Sequence, residues 1–220
     1  MGRNIEEFEL LNTASQLRRA GEHAFAFYRG AIPADECHRV VQESYDLLAE
    51  NAAIRHHLVP LAERWTLDRL RRVGTLDKRL ARSVPEVLFV DAHDTGAAPL
   101  AAALLAFYAR GRVNVSSAGQ QPGPALDPMV AQALADNGIE TRDHFAKPVT
   151  ADAVDAADVI VTFGVPLENL QENPEQRRLS WDVPSPDGEP YDTAAAARDD
   201  LDRRVLRLLA DLLYGPAKPS

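Results

Sequence analysis

The stretch Glu86-Val87-Leu88-Phe89-Val90-Asp91-Ala92-His93-Asp94-Thr95-Gly96-Ala97-Ala98-Pro99-Leu100-Ala101-Ala102-Ala103-Leu104-Leu105 sets an apolar run, a polar turn and an Ala/Leu-rich run in direct succession. Residues 86–90 are short, apolar and rich in strand formers, whereas residues 99–110 have the composition of a helix. The unit reads as strand, loop, helix. Downstream, a second strand at 113–116 leads into Ser117-Ala118-Gly119, and a helix at 127–137 ends at Gly138. A short helix from Thr150 precedes a third strand, Asp158-Val159-Ile160-Val161-Thr162-Phe163. Leu179-Ser180-Trp181-Asp182 reads as a fourth strand, followed by a Pro-rich loop at 183–190 and an amphipathic helix at 191–213. Strands alternating with helices predict an α/β fold, a four-stranded parallel sheet flanked by helices.

Upstream of this pattern, apolar residues recur only at helical spacing. Three helices are expected, over residues 6–27, after Pro33, and over 58–73 with Gly74 as C-cap. The second opens with Pro33-Ala34-Asp35-Glu36 and places Val40, Val41, Tyr45, Leu47 and Leu48 on one face. The expected organisation is a three-helix segment at 1–76, a charged connector at 77–85 and the α/β domain at 86–220. Three short helices make a thin core, which favours pairing with a second copy or packing on the next domain.

The 220 residues carry 45% hydrophobic and 26% charged side chains, an ordinary globular composition. Residues 1–84 have a net charge of +1 and residues 85–220 a net charge of −10. A field of that sign argues against a nucleic-acid partner. No run approaches the ~20 apolar residues of a membrane span, and the N-terminus leads into acidic residues, so a cytoplasmic protein with no membrane partner is expected. The single cysteine, Cys37, excludes an internal disulfide and a Cys-based zinc cluster. Its expected role is packing. Adjacent His56 and His57 do not share one side of a helix and are not expected to share a metal.

In an open parallel sheet, ligands gather at the carboxyl ends of strands, so Asp91 to Ala98 is the candidate site. The loop and the helix after it resemble the phosphate-binding loop and first helix of low-molecular-weight protein tyrosine phosphatases and the arsenate reductases of the same fold. Further matches follow in order: Ser116-Ser117-Ala118-Gly119, Asn137-Gly138-Ile139, Lys147-Pro148, Ala156-Ala157-Asp158-Val159-Ile160-Val161-Thr162 and Trp181-Asp182-Val183-Pro184. The N-terminal helices, with His56-His57-Leu58 and Leu61-Ala62-Glu63-Arg64, resemble the extension of some actinobacterial arsenate reductases, which implies a homodimer through that segment.

The resemblance also implies what this chain lacks. The family loop opens with a nucleophilic Cys, followed six residues later by an oxyanion-clamping Arg and then a Ser. Asp91, Ala97 and Ala98 stand there. The general-acid Asp of the late loop corresponds to Ser185, with Asp187 as a displaced substitute, and Thr162-Phe163-Gly164-Val165-Pro166 holds no redox cysteine. Neither phosphatase nor arsenate reductase activity is expected.

Two readings of the altered loop stay open. In one, the Asp91 carboxylate accepts the backbone N–H groups of its own loop, whose lining also includes Ala92, Thr95 and Gly96, and the chain is a catalytically degenerate binding or regulatory protein. In the other, Asp91, His93 and Asp94 form a rebuilt acid/base site for a small organic metabolite, with Trp181, Ser185 and Asp187 lining the pocket. The helix dipole is expected to depress the Asp91 pKa, and the two carboxylates to orient His93. No cofactor is expected, and a metal is disfavoured because an N–H lining repels cations. Asp91-Ala92-His93-Asp94-Thr95 also resembles the Asp-x-Asp-x-Thr loop of haloacid-dehalogenase-type phosphatases, but His93 stands where their second Asp belongs. The resemblance further implies that the loops Gln120-Gln121-Pro122-Gly123-Pro124 and 184–190 overhang the site, as their counterparts do in the related fold.

Overall fold

The computed structural model describes residues 2–51, 58–141, 144–166 and 173–215. It divides into two compact units, Met1–Arg82 and Ser83–Ser220. No described helix is long and apolar enough to cross a membrane. His56 and His57 lie outside the described residues.

The first unit packs α1 (Gly2–Phe27), α2 (Ala34–Asn51) and α3 (Leu58–Leu76) against one another. Ala24, Ile32, Cys37, Val40 and Leu70 form one core cluster, and Leu17, Ala20, Val41 and Val59 form a second. Cys37 is fully buried, and burial pushes its thiol pKa up, which suits packing rather than reactivity. Gly74 is not a C-cap, because α3 runs two residues past it. Its carbonyl instead accepts the N–H groups of Arg79 and Leu80, both at 2.8 Å, closing the turn after the helix. Leu80 packs on the first cluster, and Arg79 grips both carboxylate oxygens of Glu36 at 2.5 and 3.0 Å. These contacts carry the unit past residue 76.

The second unit runs β1 (Glu86–Asp91), α4 (Ala97–Ala109), β2 (Asn114–Gly119), α5 (Pro128–Ala135), α6 (Ala151–Ala156), β3 (Val159–Thr162), β4 (Arg177–Ser180) and α7 (Tyr191–Tyr214). The strands form one parallel sheet in the order β2-β1-β3-β4. Every residue of β1 is buried. Val87 and Phe89 face a core shared with α4, α5 and α7, while Leu88 and Val90 pack on the opposite face with Ala153 and Val154 of α6. A strand covered on both faces has no reason to alternate, which is why Val87 to Val90 is a continuous apolar run. The register sets Asp91 opposite Gly119 and Val90 opposite Thr162, so the loops after β1, β2 and β3 leave the sheet along one edge.

Among the element boundaries that differ from the expected ones, two bear on the site. The helix after the loop starts at Ala97 rather than at Pro99, since Pro99 lies in the first turn, where a missing N–H costs nothing. The fourth strand is Arg177–Ser180, an edge strand of polar, partly exposed residues pairing with β3, so hydrophobicity does not mark it.

Phe89 is fully buried, with ring centroids 6.3 Å from Phe163 and 5.9 Å from Trp181. Phe89→Ala is expected to cost about 3–5 kcal/mol of unfolding free energy, measured by urea denaturation. A loss below ~1 kcal/mol would contradict the packing described.

Candidate functional site

The site forms where β1 ends. Asp91 is its last residue, and its carboxylate turns back into the loop that follows. Oδ1 accepts the N–H groups of His93 at 3.0 Å and Asp94 at 2.5 Å, and Oδ2 accepts the N–H of Ala98, in the first turn of α4, at 2.9 Å. The carboxylate thus spans the loop from its start to the helix N-terminus. Burial raises the Asp91 pKa above the ordinary aspartate value, and the three N–H bonds oppose that rise without cancelling it. The expected depression by the helix dipole is overturned: desolvation outweighs the donors.

Asp94 takes a different direction. It is fully buried with a left-handed backbone (φ 54°), and its Oδ2 accepts the Lys147 N–H at 3.1 Å and the Lys147 ammonium at 3.3 Å. His144 donates Nε2–H to the Asp94 carbonyl at 3.0 Å. Asp94 is therefore a loop anchor rather than a partner of His93. The His93 ring donates Nδ1–H to the Gln121 carbonyl at 3.0 Å, so a main-chain acceptor rather than either carboxylate orients it. A three-residue acid/base cluster does not form. Among the described residues, no group of three or more His, Cys, Asp or Glu side chains could hold a metal ion.

The segment after β2 fastens the loop from outside. Gln120, Gln121, Gly123 and Asp127 donate their N–H groups to the carbonyls of Asp91, Ala92, His93 and Thr95 at 2.8–3.2 Å. Gly119 permits this approach, because a Cβ there would lie 2.6 Å from the His93 carbonyl carbon. The late loop closes the other side. A Cβ on Gly96 would come within 3.2 Å of the Asp187 Cβ, and Asp127 Oδ2 accepts the Gly188 N–H at 2.9 Å. Asp127 also caps α5 through its other oxygen, which accepts from Met129 and Val130. Its place at the start of a helix was legible; its hold on the late loop was not.

Between these loops lies a cleft of about 490 Å³. Of the residues singled out by sequence, Asp91, Ala92, His93, Ala97, Trp181, Ser185 and Asp187 line it, while Asp94, Thr95, Gly96 and Ala98 do not. Phe163, Val165 and Asp182 also line it and were not foreseen, since they follow strands whose neighbours only the sheet order reveals.

A loop joining a central parallel strand to a helix N-terminus, with its N–H groups converging on one point, is the architecture of a phosphate-loop α/β protein. Residues 86–214 match the low molecular weight phosphotyrosine protein phosphatase family, and residues 17–74 match the N-terminal domain described as protein-tyrosine-phosphatase-like. The chain belongs to that phosphatase family. Among solved structures it is similar to the Corynebacterium glutamicum thioredoxin-dependent arsenate reductase Cg_ArsC1', with 32% identity, TM-score 0.79, 89% of this chain covered and 96% of that one. It is also similar to the YwlE arginine phosphatase from Geobacillus stearothermophilus, at 26% identity and TM-score 0.54, covering 58% of this chain and 92% of that one. The low molecular weight protein tyrosine phosphatase from T. tengcongensis shares the fold at 20% identity and TM-score 0.54, over 58% of this chain and 99% of that one.

Asp91→Ala leaves three loop N–H groups without their acceptor. The variant is expected to lose about 1–3 kcal/mol at neutral pH, with formate, but not chloride at equal ionic strength, restoring part of the melting temperature. Because the folded pKa of Asp91 is raised, ionisation favours the unfolded chain, so the wild type loses part, not all, of its advantage as pH rises from the unfolded value of about 4 through the folded value. The stability gap between wild type and Asp91→Ala, followed by urea unfolding, should therefore be widest in acid and narrow towards neutrality.

Proposed function

We propose that this chain performs neither phosphoryl transfer nor arsenate reduction and serves as a binding or regulatory protein built on the phosphatase fold. One observation carries the reading: the two oxygens of Asp91 take three N–H groups of the loop that, in the family, receives an oxyanion. An external phosphate or arsenate would have to displace a covalently tethered carboxylate. It would do so without a guanidinium to hold it, since Ala97 and Ala98 stand in the helix-proximal part of the loop. No thiolate is available there either, because the single cysteine lies in α2.

Purified protein assayed with arsenate and the thioredoxin system, and separately with an aryl phosphate, should match a no-protein control. Turnover above that control in either assay would falsify the reading.

A second reading, a repurposed enzyme acting on a small organic metabolite, draws support from the cleft itself, where Asp91, His93, Ser185 and Asp187 share one lining with Trp181. Consumption of a metabolite by the wild type and not by His93→Ala would favour it.

We further propose that the helical segment pairs two copies of the chain. Phe25 and Phe27, 39% and 57% exposed at the end of α1, support this as uncovered apolar surface on a small unit. Light scattering should return twice the 24.1 kDa chain mass. Arg or Glu at both positions should halve it, and a monomeric wild type would end the proposal.

A further inference from the structure

The cleft above the Asp91 loop has the wrong polarity for the ligand its fold suggests. Asp91, Asp182 and Asp187 all line it, and no Lys or Arg is among the described residues that do. Two basic groups close to its lining residues are engaged elsewhere. Lys147 is held by buried Asp94, and Arg204, whose guanidinium lies 5.9 Å from the Trp181 ring centroid, is held by Asp200 at 2.8 Å and by the Asp182 carbonyl at 3.1 Å, in a neighbouring groove. An oxyanion entering here would meet the carboxylates of Asp182 and Asp187 with no Lys or Arg in the lining to offset them, whereas a cation would gain from both. The net −10 of residues 85–220 points the same way, since an acidic surface raises the local concentration of cations.

The walls add a second requirement. Trp181 and Phe163 line the cleft with ring centroids 6.0 Å apart, and Val165 extends the apolar surface. Such apolar walls favour the hydrocarbon part of an organic cation and offer little to a hydrated metal ion. A volume of about 490 Å³ lies within the range of small-molecule sites.

We propose that this cleft binds an organic cation, an alkylammonium or alkylguanidinium group, with its charge against Asp182 and Asp187 and its chain against Trp181 and Phe163. The proposal rests on the reading that Asp91 fills its own loop. The three N–H groups that would repel a cation are already neutralised by that carboxylate, so the loop floor presents no net positive end.

The test is an NMR titration of the full-length protein with n-butylammonium and n-butylguanidinium, set against butyrate, n-butanol and inorganic phosphate at matched ionic strength. Amide signals of Ala92 and His93 and the indole signal of Trp181 report on the cleft. The other indole, Trp65, is buried in the helical unit and serves as an internal control. One or both cations should shift the cleft signals and leave Trp65 unmoved, and butyrate and butanol should not. The half-buried and exposed positions of Asp187 and Asp182 make Asp182→Asn with Asp187→Asn a variant that folds, and it should weaken cation binding about tenfold. Butyrate binding as well as the cations, or cation binding unchanged in the double variant, overturns the proposal. Silence towards the cations and towards phosphate alike overturns it while sparing the self-filled loop. Phosphate shifting the loop amides refutes the self-filled loop itself, whatever the cations do.

Discussion

The structure of the site depends on a carboxylate that occupies its own anion cradle. A loop entering a helix N-terminus points its N–H groups inward and must find an acceptor for them. Asp91 supplies that acceptor from within the chain, so the loop is complete without ligand. The cost is a buried charge, visible in the raised pKa of the carboxyl. Three N–H groups held by one side chain tie the end of β1 to the first turn of α4.

Other parts of the second unit are arranged around that exchange. Buried Asp94, turned away and paired with Lys147, holds the left-handed turn that aims the next residues at α4. The segment after β2 clamps the loop carbonyls, and Asp127 ties the late loop to α5. What these contacts enclose is a cleft with aromatic walls and an acidic rim.

The sheet, the order of helices and the loop position were legible because burial on both faces of β1 forces an uninterrupted apolar run that few other arrangements produce. β4 was displaced by two residues because Arg177 and Arg178 carry no hydrophobic signal; their strand is defined by hydrogen bonds to β3 alone. Gly74 misled for a related reason. Its position near a helix end is the usual mark of a C-cap, yet the chain beyond it is held by Leu80 packing and by Arg79 on Glu36, contacts made across more than forty residues.

For the site, the sequence by itself determined that an acidic residue begins the loop, that the loop lacks a cysteine and an arginine, and that its helix follows at once. Those are local facts, and local chemistry suffices to read them. Only the tertiary structure decided that Asp91 turns inward and Asp94 outward, that Gln121 rather than a carboxylate orients His93, and that Phe163, Trp181 and Asp182 meet Asp91 across one cleft. The direction of a side chain in a tight loop follows from which donors reach it. Those donors come from strands and loops far apart in the chain, brought together by the register of the sheet.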